Sequence, residues 1–198
     1  MNDIAVLGNG RVGGNLATVL TRAGHRVTTA GRTEGAAAEA ARTARVVINA
    51  TPGAGSLERL TALREELRGK ILIDVSNATT DGPDGLPADL LHPGTSLAER
   101  LQEALPETRV VKTLNTMLYP VMTAPATLAH PPTAFLSGED AEAKRTVRAL
   151  LADIGWREEW ITDLGGIRTA RATEAAILFV PHVIRGGGFA PFAVSIAR

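Results

Sequence analysis

No cysteine occurs among the 198 residues of the chain. Disulfide staples, thiolate nucleophiles, zinc–thiolate sites and iron–sulfur clusters are therefore excluded. A net charge is missing too: 21 Lys and Arg balance 21 Asp and Glu, and no basic run concentrates the positive half. Affinity for nucleic acid rests largely on neutralising phosphates, so no nucleic-acid partner is expected. No stretch approaches the roughly 18 consecutive apolar residues that suit a bilayer crossing, so no membrane association is expected. The opening Met1-Asn-Asp lacks the Lys or Arg of a secretory signal, and the apolar run behind it is short; both speak for the cytoplasm. His25, His92, His130 and His182 are too scattered for metal-ligand spacing, and no metal is expected. Aromatic residues make up only 4 % of the chain, an abundance read as compositional bias and not as a functional signal.

What the chain has is alternation. Apolar runs at 3–8, 26–30, 45–51, 70–76, 108–114, 133–137 and 159–163 read as strands. Near-continuous Val and Ile in Val46-Val-Ile48 and Ile71-Leu-Ile73 suit strands buried on both faces. Between the runs lie helical segments at Val12–Ala23, Glu34–Arg42, Ser56–Leu67, Thr95–Ala104, Glu139–Ile154 and Ile167–Ile184, and a last strand is expected over 192–197. This order predicts a doubly wound α/β protein, with a mostly parallel sheet covered by helices on both faces. Two stretches rich in Pro and Gly, Asn77–Gly94 and Met117–Pro132, read as loops beyond strand ends, where open parallel sheets bind ligands.

The first apolar run leads into Gly8-Asn-Gly-Arg-Val-Gly13, which fits G-x-G-x-x-G between a strand and a helix. In that setting Gly8 allows the tight turn, Gly10 lets a pyrophosphate approach the backbone, and Gly13 lets the helix pack on the strand. At the end of the second strand, NAD-binding chains usually carry an acid for the ribose 2′-hydroxyl. This chain reads Thr29-Ala-Gly-Arg-Thr33 instead. Arg32 can grip a 2′-phosphate with a charge-assisted fork and Thr33 can add a hydroxyl, so the expected cofactor is NADP(H). Strand three ends at Thr51 and Pro52, strand four at Ser76 and Asn77, and strand five at Asn115, Thr116 and Met117. Their amides and hydroxyls suit a nicotinamide carboxamide, and each also fits a turn or cap. For chemistry, Asp74 is the first candidate carboxylate, although its place inside a strand suits a structural partner equally. Lys112 is a candidate acid or anion anchor. His92 and His130 sit in the loops, whereas His25 reads as a turn residue. No catalytic residue is assigned.

These segments come in the order seen in one family. The glycine motif, the Ala30-Gly-Arg-Thr33 stretch, Ile48-Asn-Ala-Thr-Pro-Gly53, Asp74-Val-Ser-Asn77, Val110-Val-Lys-Thr-Leu-Asn-Thr-Met117 and Asp163-Leu-Gly-Gly-Ile-Arg-Thr-Ala-Arg-Ala-Thr-Glu174 together resemble the NADPH-dependent reductases of coenzyme F420. The reductase domain of the STEAP metalloreductases is similar. The resemblance implies a Rossmann domain over 1–132 and a small C-terminal α/β extension over 133–198, packed on the same sheet as one compact unit. It implies that Asn9, Gly10, Arg11 and Val12 hold the pyrophosphate and that Gly31 and Arg32 receive the 2′-phosphate. It further implies that Asn77, Thr79 and Thr116 approach the nicotinamide. Pro52 and Met117, at their strand ends, are also expected among the cofactor contacts. Gly31 stands where archaeal members have Ser. A homodimer, with the deazaflavin as co-substrate, is the family's habit.

The expected function is hydride transfer between NADPH and F420. Hydride transfer between two aligned rings needs no buried acid, which accords with the absence of an assigned one. An NADPH-dependent reductase of a flavin, quinone or other small molecule is a second reading, and a non-catalytic NADP(H) sensor a third. Losing a charge-assisted phosphate contact costs about 1.5–3 kcal/mol. Arg32→Ala should therefore raise the NADPH KM more than about tenfold in steady-state assays, and equal use of NADH and NADPH by the unmutated protein would contradict the reading of Arg32.

Overall fold

Alternate residues of the apolar runs face opposite ways, and both sets are buried. Ile4, Val6, Ile48, Ile73 and Val111 join one core, while Ala5, Leu7, Val47, Leu72 and Val110 join another. A run that is apolar at every position therefore makes one sheet with two dry faces. The computed structural model describes residues 1–196, and its strands are β1 (Asp3–Leu7), β2 (Arg26–Ala30), β3 (Val46–Asn49), β4 (Ile71–Asp74), β5 (Thr79–Asp81), β6 (Pro87–Leu90), β7 (Arg109–Lys112), β8 (Ala134–Leu136) and β9 (Ile161–Asp163). The helices are α1 (Arg11–Arg22), α2 (Ala36–Thr43), α3 (Ser56–Thr61), α4 (Arg64–Leu67), α5 (Leu97–Ala104), α6 (Tyr119–Thr123), α7 (Ala141–Asp153), α8 (Ala170–Ala175) and α9 (Val180–Gly187).

Five strands form the central parallel sheet in the order β2-β1-β3-β4-β7. This is the expected Rossmann-type architecture. Leu16 and Leu20 of α1 with Val147, Leu150 and Leu151 of α7 cover one face. Ala40 and Ala41 of α2, Leu60 of α3, Leu67 of α4 and Leu101 of α5 cover the other. The chain leaves β1 toward β2, then crosses back through α2 to β3 on the other side of β1. The connections thus diverge at the carboxyl ends of β1 and β3, which opens a crevice there. A parallel pair, β8 and β9, meets the edge of the main sheet through an isolated bridge between Lys112 and Ser137.

Five expected elements differ. The segment 56–67 is two short helices, because Leu63 takes φ −99° and its N–H bonds Leu60; the tighter turn keeps both Leu60 and Leu67 buried. The segment 167–184 is broken by 3₁₀ turns at Ile167–Thr169 and Ala176–Phe179, the second just ahead of Pro181, which has no N–H to extend the preceding turn. The loop 77–94 closes into the antiparallel pair β5–β6, turning at Asp84-Gly85 with Gly85 at φ +72°; Asp-Gly is a hairpin signal. In place of a strand over 192–197 there is one bridge, Ala193 to Met117, and Ala197 lies outside the described residues. Within the loop 117–132 the chain forms α6, held by Trp156 Nε1, which donates to Met122 O at 3.0 Å. His25 follows the turn at Ala23-Gly24 and is buried: it accepts from the Asn2 amide at Nδ1 and donates from Nε2 to Asp153, the last residue of α7. Among the described residues no helix is long and apolar enough to cross a membrane.

Candidate functional site

The floor of the crevice is made by backbone contact. Gly8 ends β1 with φ +104°, and a Cβ there would lie 2.5 Å from Ala50 O. A Cβ on Gly13 would lie 1.8 Å from Gly8 O, so α1 starts pressed against the end of β1. Gly10 is the N-cap of α1; no side chain caps it, and no acid lies in the first turn. The first-turn N–H groups thus keep their donor capacity at the positive end of the helix. A Cβ on Gly10 would meet nothing within 4 Å, leaving the backbone there open to a ligand. A Cβ on Gly31 would lie 2.7 Å from Asn9 Nδ2, so the end of β2 comes up against the Asn9 side chain of the glycine turn.

Above this floor lies a cavity of about 780 Å³. Gly8, Asn9, Gly10, Arg11, Val12, Gly31, Arg32, Thr51 and Pro52, all expected, line it together with Ala50, Arg59 and Tyr119. Gly13 is buried behind the wall, and Thr33 is exposed next to Arg32 outside it. Arg59 and Tyr119 escaped sequence reading, since neither belongs to a strand end. The available signals were an arginine one turn into the helix after strand three and a lone tyrosine in the second proline-rich stretch. Arg11 stacks over the Tyr119 ring at 5.2 Å. Among the described residues no carboxylate pairs with Arg11, Arg32 or Arg59. Three uncompensated guanidinium groups around one opening suit an anionic ligand.

The remaining expected residues do not line this cavity. Asn77 donates to Asn115 O at 2.8 Å, and Asn115 donates back to Asn77 Oδ1 at 2.9 Å. Leu114 precedes Asn115 at φ +60°, a conformation that costs a non-glycine residue about 1–3 kcal/mol and that clusters at functional sites. Thr116 is buried with no partner for its hydroxyl among the described residues. Met117 is buried in the core and bridges Ala193, and Thr79 pairs with Leu90 in the hairpin. His92 is half-buried and His130 exposed.

Asp74 and Lys112 are both fully buried, and they face each other. Lys112 Nζ lies 2.7 Å from Asp74 and 2.9 Å from Glu174. Burial alone would push the ammonium pKa down, but Asp74 and Glu174 outweigh it and hold the pKa above its ordinary value. Glu174 also accepts from the Leu97 and Ala98 amides at the start of α5, at 2.8 and 3.1 Å. Asp74 accepts from Ser76 Oγ and Asn49 Nδ2, both at 2.8 Å. From Asn49 the network runs on to Thr51 Oγ1 at 2.6 Å and Ser56 Oγ at 3.2 Å. The candidate carboxylate is thus the root of a structural network that ends at the cavity wall.

No family model matches the chain. Among curated proteins it is similar to the F420-dependent NADP reductase of Methanocaldococcus jannaschii, 31 % identical over 141 residues. The match spans 69 % of this chain and 60 % of that protein's length. Among solved structures it is similar to a candidate F420-dependent NADP reductase from Arthrobacter sp. FB24, with 38 % identity, a TM-score of 0.91 and full coverage of both chains. Pyrroline carboxylate reductase from Plasmodium falciparum, solved with NADP, has a TM-score of 0.58 at 15 % identity and covers 94 % of this chain and 69 % of its own. That likeness is one of fold alone.

Removing the cation from between Asp74 and Glu174 leaves two buried carboxylates unpaired, which costs about 3–5 kcal/mol. Lys112→Met should lower the unfolding free energy by that amount in urea denaturation. A loss below about 1 kcal/mol would show that the buried triad does not hold the strand ends.

Proposed function

Because the chain belongs to the family of F420-dependent NADP reductases, we propose that it moves a hydride between NADP(H) and the deazaflavin coenzyme F420. The observation that carries this reading is the cavity at the crossover point, where an uncapped helix start meets three guanidinium groups without carboxylates. A pyrophosphate against the first turn of α1 gains free N–H donors and the positive end of the helix dipole. Asn9, Gly10, Arg11 and Val12 hold it there, on the floor that Gly8 and Gly13 make. Arg32 with Gly31 and Thr33 receives the 2′-phosphate, and Thr51 and Pro52 flank the nucleotide. Ser76, Asn77, Thr79, Asn115, Thr116 and Met117 serve the nicotinamide half, and the unpartnered Thr116 hydroxyl supports that role.

NADPH, when bound, supplies the hydride. The residues of the chain align donor and acceptor rings, and positioning is what such a transfer needs. Asp74 and Glu174 are committed to Lys112 and deliver no proton; the accompanying proton reaches an exposed ring nitrogen from solvent. The reading extends to a soluble homodimer of the cytoplasm. Phe179, Val183 and Phe189 are large apolar side chains exposed near the C-terminal end, as a subunit contact requires.

A spectrophotometric screen of NADPH oxidation against the deazaflavin, FMN, FAD and quinones tests the reading. The deazaflavin should give the highest rate. A background rate with it beside a robust rate with another acceptor would overturn the proposal.

A further inference from the structure

Arg59 stands on α3, at the end of a connection that follows β3, and Arg32 follows β2 on the far side of β1. Both line the same cavity. The Arg59 guanidinium is held in a specific way. Its Nη2 donates to Thr51 Oγ1 at 3.2 Å, Ala54 O at 3.1 Å, Ser56 Oγ at 3.3 Å and also to Pro52 O. All four acceptors are neutral, so the group is oriented without losing its charge. Its Nη1 and Nε have no hydrogen-bond partner among the described residues. Gly55 makes room for the group: a Cβ there would lie 2.7 Å from Nη1. Thr51 and Ser56 are themselves fixed by Asn49, so the tether is rooted in the buried network.

An exposed arginine with no task is usually solvated or paired with a carboxylate. This one is turned back onto its own loop, and it lines the same cavity as the unpaired Arg32. A phosphate monoester carries close to two negative charges at neutral pH, which one guanidinium balances only by half. The pyrophosphate, by contrast, already has the start of α1 and Arg11. Resting on the NADP(H) reading above, we propose that Arg59 is a specificity-determining residue that binds the 2′-phosphate of NADP(H) together with Arg32. The β3–α3 loop then reads the phosphate from one side of the ribose, and the end of β2 from the other.

The test uses the whole protein and its Arg59→Ala and Arg59→Gln variants. Glutamine keeps an amide that can donate to the loop carbonyls while removing the charge, which separates binding from loop structure. Calorimetric titration with 2′,5′-ADP and with 5′-AMP, and NADPH and NADH dissociation constants, are the readouts. Both variants should weaken 2′,5′-ADP and NADPH at least about tenfold, as expected for a lost charged contact, with 5′-AMP and NADH changed less than about threefold. Equal weakening of NADPH and NADH would assign Arg59 to the adenine or pyrophosphate and overturn the proposal, as would unchanged NADPH affinity in Arg59→Gln. An unmutated protein that binds 2′,5′-ADP in this pattern yet reduces no deazaflavin would overturn the reaction while leaving Arg59 as assigned. An unmutated protein that binds neither 2′,5′-ADP nor NADPH would overturn both.

Discussion

A lysine buried between two carboxylates holds the working end of this sheet together. Lys112 at the end of β7 faces Asp74 at the end of β4 and Glu174 on α8. The set carries one more negative than positive charge, and the excess is met by the two α5 amides that Glu174 accepts. Burying charges in this way is costly unless every lone pair is answered. Here the answers are spread over β4, β7, α5 and α8, so those elements are fixed relative to one another. Asp74 spends its remaining capacity on Ser76 and Asn49, and Asn49 orders Thr51 and Ser56. The cavity wall is the outer end of that same network.

The wall in turn explains what the cavity selects. Backbone contact between Gly8 and Gly13 sets the floor and leaves the first turn of α1 uncapped. Around it stand Arg11 on an aromatic ring, Arg32 at the end of β2 and Arg59 tethered by neutral oxygens. Among the described residues no carboxylate lines the opening. On the proposed reading these residues hold charge and align rings, which is the demand of hydride transfer between two bound heterocycles.

Much of this was legible in the sequence because it is local. The runs that became β1, β3 and β4 are apolar at most positions, as burial on two faces requires. The glycine spacing placed the floor, and the stretch around Arg32, read from its lack of an acid, lies on the cavity wall. What was not legible depends on the path of the chain. Lys112 meets Glu174 only once α8 has folded back over the sheet. Arg59 and Tyr119 reach the cavity from segments whose apolar pattern dominated their reading, as leucines in one case and prolines in the other. The turn over Pro83-Asp-Gly85, closed by the Gly82 and Leu86 backbone, was legible in principle, since Pro-Asp-Gly is a turn signal, but it was read as part of a proline-rich loop.

A crystal structure of the protein with NADPH tests the central claim most directly. The account predicts the pyrophosphate against the amides at the start of α1 and the 2′-phosphate in contact with Arg32. Nucleotide bound elsewhere, or a 2′-phosphate turned out to solvent with no contact to the chain, would contradict it.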